Sequence, residues 1–141
     1  MDVVSQRKRS EMMSKIRSRD TMPEIKVRRI AHAMGLRFRL HRRDLPGSPD
    51  LIFPRRRLVI FVHGCFWHRH PQCHFAAVPK TRVEFWSTKF RNNIERDCRV
   101  SEQLIRLGWR VAVIWECQAD DIGAVQRLIR DALDLPIPNG C

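Results

Sequence analysis

The residues with the greatest chemical capacity crowd one stretch of the chain. Within residues 63–74 lie His63, Cys65, His68, His70, Cys73 and His74, and Cys117 follows much later at the end of an apolar run. Thiolates and imidazoles suit a borderline-soft ion such as zinc, and a closed shell of four ligands is the form a structural site takes. Cys65, His70, Cys73 and Cys117 make such a set. His68 or His74 could stand in for His70, and spacing alone does not choose between them. The plainer reading makes Cys117 a small buried hydrophobe. Cys98 and Cys141 stand apart from the cluster and read as free thiols.

A second chemistry is available beside the first. Pro49-Asp50 opens one short apolar run, and the next run, 58–62, leads straight into His63. Paired as a hairpin, the two runs bring a carboxylate and a polar strand end together. A hard ion such as Mg2+ takes carboxylate, carbonyl and phosphate oxygens. Phosphodiester hydrolysis needs charge neutralisation and a base that activates water. Asp50 can supply the ligand and the neighbouring histidines the base, although Pro-Asp is also an ordinary turn pair.

Phe66 and Trp67 sit inside the Cys/His loop, and Trp86 follows nearby. Rings beside basic side chains suit stacking on, or wedging between, bases, while burial in the core is the default for aromatics. From Trp86 onward, Lys89, Phe90, Asn93, Ile94 and Asp97 recur at helical spacing, and Val100, Leu104 and Leu107 continue the same side. The later half reads as core. The earlier half puts polar groups on the side expected to be buried, where they need partners. Either this is a solvated helix end, or it faces a site containing the histidine-rich loop.

The elements that must position these groups follow from the flanking pattern. Thr21, Pro23 and Glu24 form a helix start with a capping box, and Val27, Ile30, Ala31 and Met34 carry the periodicity to Gly35. Residues 36–40 alternate apolar and basic, as a half-buried strand does. Strands are expected at 50–53 and 58–62, turned by Pro54 and three arginines. A helix is expected over 83–107, a buried strand over 110–115 and an amphipathic helix over 120–133. The order α-β-β-β-α-β-α gives an α/β fold with a mixed sheet flanked by helices.

Composition narrows the class further. The chain has 141 residues, 43% of them hydrophobic, which is enough for one domain with a core and excludes wholesale disorder. Its net charge of +12 points to a polyanionic partner, nucleic acid first. Residues 1–50 carry 13 basic and 6 acidic side chains and residues 51–100 carry 10 and 3, against 4 and 6 in residues 101–141. The basic surface thus belongs to the first hundred residues. No apolar run approaches the length of a membrane span, and the basic start lacks a signal-peptide core. A cytoplasmic protein is expected, in which five cysteines favour metal ligation over disulfides.

Several motifs, taken in order, resemble one family. They are Arg19-Asp20-Thr21 with Glu24, Leu45-Pro46-Gly47-Ser48-Pro49-Asp50, His63-Gly64-Cys65-Phe66-Trp67-His68, Thr81-Arg82 with Glu84-Phe85-Trp86, Asn93 with Glu95-Arg96-Asp97, and Gly108-Trp109-Arg110 leading to Trp115-Glu116-Cys117. Over roughly residues 7–117 the chain is similar to the very-short-patch-repair (Vsr) mismatch endonucleases. That resemblance implies a restriction-endonuclease-like fold with an added structural zinc held by Cys65, His70, Cys73 and Cys117. It implies a Mg2+-dependent enzyme that nicks one DNA strand at T:G mismatches left by deamination of 5-methylcytosine. Asp50 and the backbone carbonyl of Val62 would bind Mg2+, and His68, oriented by Asp97, would be the base, with His63 and Glu24 in support. Phe66, Trp67 and Trp86 would wedge beside the mismatch, Lys89 and Asn93 would recognise it, and Met13 would enter the minor groove.

By the same resemblance residues 1–20 form a DNA-contacting arm; 21–135 read as a single endonuclease domain and 136–141 as a C-terminal tail, the chain beyond Cys117 having no counterpart in the resemblance. A monomer is expected, bacterial and nucleoid-associated. It would be linked in function to a cytosine-5 DNA methyltransferase and to mismatch-repair proteins. Two other readings stand beside this one. One is a related strand-specific nuclease with another lesion or sequence target. The other is a non-catalytic zinc-stabilised DNA-binding module.

Overall fold

The computed structural model describes residues 21–40 and 42–135. Helix α1 (Met22–Ala33) leads to strand β1 (Leu51–Phe53), which a short 3-10 turn at Pro54–Arg56 joins to β2 (Leu58–His63). Helix α2 (Val83–Arg106), strand β3 (Arg110–Trp115) and helix α3 (Ile122–Asp134) complete the described chain. The arm with Met13 and the tail with Cys141 lie outside these residues. Among the described residues no helix is long and apolar enough to cross a membrane.

The three strands form one mixed sheet in the order β1-β2-β3. β1 and β2 pair antiparallel, with Leu51 opposite Ile60 and Phe53 opposite Leu58. β2 and β3 pair parallel from Leu58–Arg110 to His63–Trp115. A parallel neighbour needs a crossover rather than a tight turn, and α2 supplies it. The expected strand at 36–40 reduces to a single bridge, in which Arg39 and Ile52 exchange two backbone hydrogen bonds of 2.8 and 2.9 Å. β1 is only three residues long and offers its outer edge no more pairing than that. Leu36 and Phe38 still pack on the core, so the alternation was real although the ladder is not.

Both faces of the sheet are covered, which is why β1 is apolar throughout rather than alternating. Leu51, Phe53, Leu58, Ile60 and Ile114 meet Val27 and Ile30 of α1 and Val125 and Ile129 of α3. Ile52, Val59 and Phe61 meet Leu104 of α2 and Trp109, with Val100 packed alongside. The period of two along β2 thus splits its side chains between two cores. Leu104 is fully buried, and truncation to Ala at such a position costs roughly 2–5 kcal/mol.

The helix starts differ in how they are closed. Asp121 caps α3 by accepting from the Ala124 N–H at 3.0 Å. Thr21 makes no side-chain cap on α1, so the expected capping box does not form there. Glu24 is instead buried, accepts from Arg28 Nη2 at 3.3 Å, and lies against Asp50.

Candidate active site and metal centre

The hairpin brings its two polar ends together at one edge of the sheet. Asp50 precedes β1 and donates its backbone N–H to the Ile60 carbonyl, which holds it in register beyond the end of β1. Its carboxylate accepts from the Val62 N–H at 2.6 Å. Burial pushes the Asp50 carboxyl up to about 7, helped by the adjacent Glu24 carboxylate and opposed by the Val62 N–H and Arg28. Two carboxylates pressed together with so little solvent are a poor arrangement by themselves and a good one around a hard cation. The donor set of Asp50, Glu24 and backbone oxygen near Val62 fits an oxygen-seeking divalent ion.

β2 ends on His63, and the next turn returns His68 over it. The His68 N–H bonds the Gly64 carbonyl at 3.1 Å, closing that turn. The two imidazoles stack at 3.8 Å between centroids with an 8° interplanar angle. His68 Nδ1 lies 2.6 Å from Oδ2 of Asp97, which α2 presents to it. Burial, then the neighbouring His68, push the His63 imidazole down to about 4, so its neutral form is favoured. An imidazole that donates from Nδ1 to a carboxylate leaves Nε2 as a free base pointing elsewhere. Glu24, Asp50, Val62, His63, His68, Arg96 and Asp97 together line a cavity of about 450 Å³.

The sulfur and nitrogen donors gather on the other side of the same loop. One atom each from Cys65, His70, Cys73 and Cys117 lies within 4.8 Å of all the others. His70 Nδ1 is 3.6 Å from Cys65 Sγ and 3.4 Å from Cys117 Sγ. His70 is therefore the histidine of this set, while His68 turns to Asp97 and His74 packs on Phe75. Burial pushes the Cys65 thiol up to about 12 and raises Cys117 as well. Thiols that resist ionisation when buried without a cation are the donors a dipositive ion would reverse. The quartet could hold a metal ion, and three sulfurs with one nitrogen match a tetrahedral preference.

Two features stiffen the loop that joins these centres. Trp115 lies parallel to His70 at 4.3 Å and edge-on to His63 at 5.4 Å, so one ring bears on both clusters. Arg69 adopts a left-handed backbone (φ 55°) and sends its guanidinium to the Phe66 and Ala76 carbonyls and over the Phe90 ring at 4.0 Å.

The aromatic residues are half-buried, between the two fates the sequence left open. Phe66 sits at the centre, edge-on to Trp67 at 5.1 Å, to Trp86 at 5.5 Å and to Phe90 at 5.3 Å. Lys89 Nζ lies 5.6 Å from the Trp67 ring centroid, and Asn93 donates to the Trp67 carbonyl at 3.1 Å. Phe66, Trp67, Lys89, Asn93 and the start of α1 line a second, open cavity of about 880 Å³. The polar half of the α2 stripe thus does face the histidine-rich loop. Two of its apolar members were misplaced: Ile94 and Leu107 are exposed, and only Phe90 and Leu104 of α2 are buried. A 24-residue helix crossing a short sheet has more apolar length than the sheet can cover.

Glu116, Arg69, Arg96 and Trp115 were not among the expected site residues. Glu116 accepts from the Cys65 N–H at 3.2 Å and lines the open cavity. The sequence signal for Glu116 and Trp115 was their place in the motif Trp115-Glu116-Cys117. Arg96 stood in the motif Glu95-Arg96-Asp97 without a role of its own, and Arg69 had no signal, being one among many arginines.

Comparison with known proteins bears on this geometry. The family profile described as DNA mismatch endonuclease Vsr matches residues 1–74. The chain is 50% identical over 133 residues to a Type II nicking enzyme, V.XorIIP, of Xanthomonas oryzae pv. oryzae, covering 94% of this chain and 97% of that one. It is 46% identical over 116 residues to the DNA mismatch endonuclease Vsr of Escherichia coli K12, covering 82% of this chain and 74% of that one. A Type II nicking enzyme of Neisseria meningitidis serogroup A, V.NmeAIP, is 35% identical over 137 residues, covering 94% of this chain and 97% of that one.

Proposed function

The chain belongs to the DNA mismatch endonuclease Vsr family, and from that premise we propose that it nicks one strand of duplex DNA at T:G mismatches in a Mg2+-dependent reaction. The observation that carries the reading is a single cavity holding the His68–Asp97 pair, His63 and the Asp50–Glu24 carboxylates, next to a platform of aromatic rings and basic side chains. A DNA-binding module without catalysis would not need that pair. The chain around it is read as restriction-endonuclease-like, one domain over 21–135 with an arm at 1–20 and a tail at 136–141.

In this reading His68 is the general base. Its Nδ1 is held by Asp97 at 2.6 Å, which orients the ring and stabilises the imidazolium that forms when Nε2 takes a proton from water. His63, stacked on His68 and favoured as the neutral imidazole, keeps that ring from turning and offers a hydrogen bond toward the phosphate. Asp50 and the Val62 backbone carbonyl would hold Mg2+, with Glu24 beside them. When bound, the ion neutralises charge that builds on the phosphate oxygens. Cys65, His70, Cys73 and Cys117 would hold a structural zinc that fixes the loop carrying Phe66, Trp67 and His68.

Target choice falls to the rings. A T:G wobble stacks poorly, so wedging Phe66, Trp67 and Trp86 beside it costs less than at a matched pair. A loop pinned by metal and by Arg69 is already ordered before it meets DNA, so binding does not bear that entropy. Lys89 and Asn93 stand on the same platform in reach of the mismatch, and Met13 of the arm would enter the minor groove.

The relatives named as Type II nicking enzymes favour a second reading, in which the same machinery serves another sequence context. The proposed setting is the bacterial cytoplasm and nucleoid, as a monomer, since one nick needs one site. There a cytosine-5 DNA methyltransferase would create the mismatch and mismatch-repair proteins would act on the same lesion. Nicking of T:G against T:A duplexes, with Mg2+ and with chelator, tests the proposal; equal cutting of both would favour the second reading.

A further inference from the structure

We propose that Arg96 is a catalytic residue, whose guanidinium grips the non-bridging oxygens of the phosphate being cut; the role rests on the hydrolytic reading above. α2 presents one stripe to the site, and its members change task along the axis. Lys89 and Asn93 engage Trp67 on the platform, Asp97 engages His68, and Val100 touches Gly47 in the loop that carries Asp50. Arg96 lies between the platform half and the hydrolytic half. Glu24, Val62, His68 and Arg96 line both cavities, and Arg96 alone of these four is a permanent cation.

Charge makes that position consequential. Among the described residues, the smaller cavity is lined by three acidic side chains, Glu24, Asp50 and Asp97, and by one Lys or Arg, Arg96. A phosphodiester entering such a cavity meets like charge, and hydrolysis adds negative charge to its oxygens. A donor aimed at charge that grows during reaction lowers the barrier more than it strengthens binding. The planar guanidinium fork matches two phosphate oxygens at once, which a point-like ammonium does not.

Among the described residues, other nearby cations are engaged elsewhere, Arg28 with the Glu24 carboxylate at 3.3 Å. Lys89 lies against the Trp67 ring and lines the larger cavity without reaching the smaller. Arg69 is spent on the Phe66 and Ala76 carbonyls and the Phe90 ring. Arg96 is exposed on the helix surface, so replacing it does not open the core.

The test compares wild type with Arg96→Gln, Arg96→Lys and Arg96→Ala in single- and multiple-turnover nicking, with duplex affinity measured separately. Arg96→Gln is expected to lower kcat by about 10²–10³-fold while duplex Kd moves by less than about threefold. Arg96→Lys should recover part of the rate, and millimolar guanidinium ion should partly restore Arg96→Ala, which a merely structural residue would not allow. Melting temperature and zinc content should match wild type. A kcat within about threefold of wild type, a defect confined to KM, or a loss of folding that explains the loss of rate would overturn the assignment. Wild type is run on T:G and T:A duplexes in parallel. Equal cutting of both would strike the proposed target alone, and the Arg96 comparison would then be read on whichever duplex is cut.

Discussion

Asp97→Asn isolates the one contact that turns His68 into an oriented base. The substitution keeps the shape of the side chain and removes its charge. The His68 Nδ1–Asp97 Oδ2 distance of 2.6 Å is that of a charge-assisted bond, worth roughly 1.5–3 kcal/mol where both partners are dry. Here the two side chains are 21% and 25% exposed, so solvent screens part of that, and the lower two-thirds of the range applies. At about 1.4 kcal/mol per decade this is roughly a tenfold to sixtyfold fall in kcat. His68→Ala removes the base itself and should cost more, about 10²–10⁴-fold. Because Asp97 acts through His68, the double variant should be no slower than His68→Ala alone. The assay is single-turnover nicking of an end-labelled T:G duplex at saturating enzyme. If Asp97→Asn slows the His68→Ala protein by the same factor as it slows wild type, the two residues act independently and the dyad is wrong.

Three other substitutions probe the frame around it. Asp50→Asn should abolish nicking yet leave duplex binding near wild type, as gel shift would show; lost binding or lost folding would count against a metal-ligand role. Cys117→Ser should lower both zinc stoichiometry and melting temperature, and an unchanged metal content would remove Cys117 from the quartet. Gly47→Ala places a Cβ at a residue with φ of 73° and 2.4 Å from Val100 Cγ1, so urea titration should show a loss of about 1–3 kcal/mol. Adding Val100→Ala should relieve the collision but not the backbone strain, giving partial recovery; full recovery would mean that φ costs little here.

Much of the fold was legible because its signals are local and redundant. The apolar runs at β1, β2 and β3 stop where backbone geometry changes, at Pro54, His63 and the Glu116–Gln118 turn. The run 36–40 misled because alternation reports which side chains face the core, and Leu36 and Phe38 do, whereas a ladder needs a neighbour long enough to pair with. Glu24 shows the same limit in reverse. Its spacing from Thr21 suits a cap, yet the carboxylate serves Asp50, a partner fixed only when α1 docks on the sheet. The cysteines and histidines announced a metal site by clustering. The choice of His70 over His68 and His74 shows only in the folded loop, where the turns closed on Gly64 and Cys65 leave His68 against Asp97 and His70 against the cysteines. Arginine carries no such mark, so Arg69, and the task of Arg96 within its motif, became visible only through the rings and cavities they meet.

In the proposed function this cavity hydrolyses DNA at a mispaired T:G. The direct measurement is the rate of strand nicking on two duplexes that differ only in T:G against T:A at one position, with Mg2+ present and after chelation. A nick is expected in one strand of the T:G duplex, with little cutting of the T:A duplex and none of either without the divalent ion. Cutting that is equal on the two duplexes, or that persists undiminished in chelator, would contradict it.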